Sequence, residues 1–194
     1  MEQITTIAAR LAPLATDPRA VAMAALLLLA AALDLRTRRI PNWLTVPGAT
    51  LAIVYSAFVP FWPHGGLLWS LGGAGLGLVV FFPLYALRTM GAGDVKLMAM
   101  AGAFLGAANA FVAILGTFIA GGVLALVFAL HRRALGRTLA NVGEILLATA
   151  VAASTGSGPG LRLAGAPSTG RLPFGVAIAA GSIGTLLAWQ LGYF

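Results

Sequence analysis

The stretch from Leu97 to Leu130 contains no charged residue. Wound as one α-helix at about 1.5 Å per residue it would measure about 50 Å, well beyond the roughly 30 Å hydrocarbon core of a bilayer. Such a run has to lie in lipid or deep in protein, and it has to be interrupted. The small, polar patch Gly106-Ala107-Ala108-Asn109 is the natural interruption. Charge tests this division. With a break there, Arg132, Arg133, Arg137, Arg162 and Arg171 fall on the same side as Arg36, Arg38, Arg39, Arg88 and Lys96. Without it the basic residues divide evenly across the membrane, against the positive-inside bias.

The remainder of the chain is of the same kind. Hydrophobic residues make up 60% and charged residues 9%, with a mean hydropathy of +0.96, which describes an all-α, polytopic membrane protein rather than a water-soluble domain. The net charge of +7 comes from short Lys/Arg clusters between apolar runs, so it marks topology and not a nucleic-acid surface. Cysteine is absent, which removes disulfides, thiol catalysis and thiolate metal sites. His64 and His131 fall in different inter-helical loops, so neither a metal nor a cofactor is expected.

In chain order, residues 1–17 read as a short extramembrane leader or surface helix, and Pro18 to Leu33 as the first span. A cleaved signal peptide competes for that segment, but it would put Arg36, Arg38 and Arg39 outside, against the charge rule. A basic loop, Asp34 to Trp43, follows, then a second span over roughly 44–62, a turn at His64-Gly65-Gly66 and a third span over roughly 67–87. The glycines of that third span, Gly72, Gly73, Gly75 and Gly77, suit close helix packing. Two spans come from the broken run, residues 132–172 form a cytoplasmic connection, and Pro173 opens the last span, to about Tyr193. Within the connection, Val142 to Ala153 reads as an interfacial or re-entrant piece and Ser154 to Gly170 as loop. The expectation is a single integral-membrane domain over 1–194, a bundle of about six helices with both termini outside, and no internal repeat.

Two of the five acidic residues then stand out. Asp94 sits in Met90-Gly91-Ala92-Gly93-Asp94-Val95-Lys96, between apolar runs, and Asp34 at the end of the first span. A carboxylate there is costly unless it is paired, hydrated or functional. The topology brings both to the cytoplasmic interface. Two facing carboxyls share a proton, and such a pair suits amide hydrolysis by water: one takes a proton from water while the other polarises the carbonyl.

At these residues the chain resembles a known family. Gly91-Ala92-Gly93-Asp94 looks like the GxGD signature of intramembrane aspartyl proteases. With Asp34 seven residues before Pro41-Asn42, with Asp94-Val95-Lys96, and with Leu172-Pro173-Phe174-Gly175-Val176-Ala177, it resembles the type IV prepilin peptidases from Asp34 to about Gly181. The resemblance implies an aspartic endopeptidase of the bacterial inner membrane. Such an enzyme removes the basic leader of prepilins or pseudopilins at the cytoplasmic face. Membrane lipids and the prepilin are its expected partners, and Asp34 and Asp94 its catalytic pair. Gly91 and Gly93 would shape the loop presenting Asp94, with Lys96, Pro41 and Asn42 supporting the site. Many members carry a cysteine-bearing cytoplasmic methyltransferase domain. This chain has no cysteine and no room for it, so it looks like the short form of Tad/Flp-type pili.

Plainer readings exist for each residue. Asp94 could be a helix N-cap and Lys96 a snorkelling anchor. Asp34 could pair with Arg36 or Arg38, and Pro41-Asn42 could simply stop and cap the loop. Arg36, Arg38 and Arg39 read as topology determinants, and Glu144 as part of a solvated surface helix. A different function class also fits two intramembrane acids: a small transporter or channel subunit relaying protons or cations. An assembly factor packed through its glycines would leave the aspartates unexplained.

Overall fold

The computed structural model describes residues 17–59, 66–87, 89–131 and 173–191. Among them are five helices and no strand: α1 (Pro18–Thr37), α2 (Asn42–Phe58), α3 (Leu67–Ala86), α4 (Ala92–His131) and α5 (Phe174–Gln190). Three stretches are long and apolar enough to cross a membrane, Pro18–Thr37, Leu67–Ala86 and Ala92–Phe128, and Phe174–Gln190 is a shorter apolar helix. By their contacts the residues form two units, Met1–Gly121 with Pro173–Phe194, and Gly122–Leu172. The second is described only over 122–131, the end of α4, where His131 is helical rather than in a loop. The leader 1–16, the aromatic end of the second span, the His64 turn, Arg88, residues 132–172 and the end of the last span at Tyr193 lie outside the described residues.

α1 begins as its sequence demands. Asp17 is the N-cap, its Oδ1 accepting from the Arg19 N–H at 2.9 Å, and Pro18 fills the first helical position, where no N–H is needed. The helix does not end at Leu33, as its apolar run suggests, but continues to Thr37. Nothing in Asp34-Leu35-Arg36-Thr37 breaks a helix, and the stop comes at Arg38, which turns left-handed (φ 53°) just ahead of Ile40-Pro41. Asp34 therefore sits in the last turn of α1 rather than in a loop. It continues the buried stripe Ala20, Met23, Leu27 and Ala30, whose spacing of three and four residues marks one helix face.

α2 is shorter than expected, ending at Phe58, and it accommodates Pro47 within its length. α3 carries the glycines. Gly73 and Gly77 do what the sequence suggests: a Cβ at Gly73 would overlap the Gly102 carbonyl, and one at Gly77 would come within 2.8 Å of the Met98 carbonyl. Ser70 Oγ adds a bond to the Ala103 carbonyl at 2.8 Å. Gly72 makes only ordinary contact and Gly75 faces open space, so two of the four glycines are not tight packing positions.

The long run is interrupted at Gly106, with φ 72° and ψ 169° inside α4. Its neighbours reveal what the break does. Before it, α4 runs antiparallel to α3, with Met98 against Gly77 and Gly102 against Gly73. Beyond it, Phe118 stacks on Phe81 with ring centroids 5.7 Å apart. Phe81 is one turn further along α3 than Gly77, level with the start of α4, so by Phe118 the chain has come back to that level. The polypeptide reverses at Gly106, and the returning segment runs antiparallel to α5, with Gly116 against Gly181 and Gly121 against Phe174.

The buried hydroxyls of Ser56, Thr117 and Thr185 bond back to carbonyls one turn earlier, the usual way to satisfy a hydroxyl away from water. At the end of the unit where α1 starts, buried Arg19 lies 5.4 Å from the Tyr55 ring centroid and 5.1 Å from that of Trp69. Sequence reading had not singled out this cation between aromatic faces.

Candidate active site

The opposite end of the unit gathers the residues that the sequence marked. Asp34, in the last turn of α1, is 6% exposed. Its Oδ2 accepts the backbone N–H of Gly175 at 2.8 Å. Gly175 is the second residue of α5, and first-turn amides have no acceptor within their own helix. The positive end of a helix is a natural seat for a carboxylate. The bond also fixes the rotation of the Asp34 side chain, joining residues that lie 141 apart in sequence.

Asp94 is half-buried in the first turn of α4. It is not the N-cap. It is the third helical residue, and its Oδ2 reaches back to the Gly91 N–H at 3.0 Å while its own N–H donates to the Gly91 carbonyl at 3.1 Å. This is the reciprocal half of a capping box, in which an acid at the third position satisfies the amide at the helix entrance. The glycine-rich loop and Asp94 thus hold each other in place.

One residue touches both halves. A Cβ built on Gly93 would lie 3.0 Å from Ile40 Cβ and 3.2 Å from the Ile40 carbonyl oxygen. A Cβ built on Gly175 would lie 3.0 Å from Asp34 Oδ2 and 3.1 Å from Ile40 Cδ1. Both glycines therefore let backbone settle against the same residue, and the helix start that carries Asp94 meets the helix start that holds Asp34 across Ile40.

The supporting residues take specific places. Pro41 is the N-cap of α2 and, having no side-chain oxygen, makes no cap bond. Asn42 is the first helical residue and caps nothing; its Oδ1 instead accepts from Lys96 Nζ at 2.8 Å, tying the start of α2 to the start of α4. Arg36, Arg38 and Arg39 are exposed around the turn. Ile40 and the Gly175 amide escaped the sequence reading as site components. Pro173-Phe174-Gly175 stood out as a motif, but its partner could not be read from it.

Residues 21–126, more than half of the chain, match the family profile of the type IV leader peptidases. The chain belongs to the type IV leader peptidase family. Membership implies a protease, in general of the aspartic type, and with the long apolar helices it describes a membrane protein whose family acts on prepilin-type substrates. The matched range of this leader peptidase includes Asp34, Ile40 and the whole of Met90 to Lys96; the Gly175 region lies beyond it. No curated protein and no solved structure matches the chain.

Proposed function

We infer that the chain is an aspartic endopeptidase that removes the leader from type IV prepilins or pseudopilins, with Asp34 and Asp94 as its catalytic pair. The observation that carries this reading is the meeting of the two carboxylate-bearing elements across Ile40 at one end of the helical unit. Both acids belong to helix ends beside exposed arginines and Lys96, where water and a basic loop region meet apolar helices. Transporter sites usually sit nearer the bilayer midplane, at broken helices. Here the broken helix, at Gly106, is at the far end from both aspartates.

The chemistry needs no covalent intermediate. One carboxylate takes a proton from a water molecule, whose oxygen bonds to the scissile carbonyl carbon, while the protonated partner donates to the carbonyl oxygen. Collapse of the tetrahedral species breaks the C–N bond, and the proton taken from water leaves on the new amine. The same proposal includes six crossings, termini outside, a cytoplasmic site and the short Tad/Flp-type form.

The test is cleavage of co-expressed prepilins in membranes by wild type, Asp34→Asn and Asp94→Asn, with expression matched. Leader loss with wild type alone supports the pair. Leader loss that persists in both variants removes the dyad from the mechanism.

A further inference from the structure

We propose that Ile40 is a positioning residue for the two aspartates, the common wall that sets where Gly175 holds Asp34 and where Gly93 presents Asp94. The kinetic half of the proposal rests on the peptidase reading above; the geometric half does not.

Three features suit Ile40 to this task. It precedes Pro41, which confines its backbone to extended conformations, and it is β-branched, which confines its χ1. Its turn is tied down on the other side, where Thr37 Oγ1 donates to the Leu33 carbonyl at 2.8 Å and contacts the Arg39 carbonyl oxygen at 3.1 Å. The side chain then meets two backbones at different atoms. Gly93 lies on its Cβ and carbonyl, whereas Gly175 lies on its Cδ1. Each glycine is one covalent or hydrogen-bonded step from a carboxylate: Gly93 precedes Asp94, and the Gly175 N–H bonds Asp34 Oδ2. Shortening Ile40 from its tip, by one carbon in valine and back to the Cβ in alanine, frees the Asp34 side and leaves the Gly93 contact in place, so the two acids shift relative to each other. Catalysis that depends on placing two acids about one water is sensitive to such shifts, since misplacement by about 1 Å can cost about a hundredfold in rate.

A residue that merely fills space would lower stability and activity together. A positioning residue lowers turnover in a protein that still folds and still binds. The experiment uses the full chain in membranes with Ile40→Val, Ile40→Leu and Ile40→Ala, each checked for wild-type elution and thermal unfolding in detergent. Cleavage of a prepilin is measured across substrate concentrations. Ile40→Ala is expected to lower kcat about ten- to a hundredfold with KM little changed, and Ile40→Val severalfold. Should Ile40→Ala not fold, Ile40→Val alone decides: an unchanged kcat overturns the proposal.

A second readout needs no substrate. Because the chain has no cysteine, an Asp34→Cys/Asp94→Cys variant offers one thiol pair to a short bifunctional thiol reagent. Adding Ile40→Ala is expected to change the bridging yield severalfold. An unchanged yield overturns the positioning role whether or not the chain cuts prepilins. A changed yield, in a chain whose cleavage survives both aspartate-to-asparagine changes, sinks the peptidase dyad while the positioning role stands.

Discussion

The Gly175 N–H donates to Asp34 Oδ2 at 2.8 Å, joining the start of the last helix to the end of the first. A side chain at position 175 would occupy the space between that oxygen and Ile40. Gly175→Ala is therefore expected to displace the Asp34 carboxylate by a few tenths of an ångström and to lower prepilin cleavage about tenfold, and Gly175→Val to lower it further. Cleavage assays at equal membrane expression check this. Wild-type turnover by Gly175→Val would show that the bond does not matter to activity.

At Gly106 the backbone conformation itself demands glycine. Its φ of 72° with ψ of 169° lies in a region essentially closed to other residues, Asn included, and a Cβ there would overlap the Trp69 indole. Gly106→Ala and Gly106→Asn should each cost about 1–3 kcal/mol, seen as a lower unfolding temperature in detergent. Removing the indole with Trp69→Ala should leave most of the backbone penalty in place, which separates strain from collision.

The glycines of α3 predict opposite outcomes from one short stretch. Gly73→Ala forces apart two backbones in contact and should cost about 1–3 kcal/mol, as overpacking does. Gly75→Ala meets nothing within 4 Å and should be neutral or stabilise the helix by up to about 1 kcal/mol. Equal effects on unfolding temperature would argue against the observed face of α3.

Lys96 and Asn42 link the two helix starts through an exposed bond of 2.8 Å. Lys96→Met and Asn42→Ala should each reduce cleavage far less than Asp34→Asn or Asp94→Asn. The double variant should match the worse single one, because both remove the same contact. A double-mutant cycle on unfolding should return a coupling below about 1 kcal/mol. Additive losses would mean the two residues act separately.

What could be read from the chain alone followed from two facts of membrane chemistry: backbone in lipid must pair its own polar groups, which long uninterrupted apolar runs do as helices, and a charge there must have a reason. Those facts yielded the helices, the interruption at Gly106 and the choice of Asp34 and Asp94 from five acids. Local rules also hold where partners are close in sequence, as at Asp17 capping α1 and Asp94 reaching back to Gly91. They failed where hydropathy was used to end a helix: the polar residues after Leu33 look like a loop, but nothing in them stops helix growth before Arg38. The remaining features were decided by tertiary structure. Which glycines of α3 meet a backbone depends on the rotation of one helix against another, so Gly73 and Gly75 are indistinguishable until α4 is in place. Likewise Asp34 and Ile40 find Gly175 only because the reversal at Gly106 and the antiparallel return to α5 bring residues far apart in sequence to one end of the unit. Periodicity specifies which face of a helix is apolar, but contact across 141 residues is set by packing, and no local pattern encodes it.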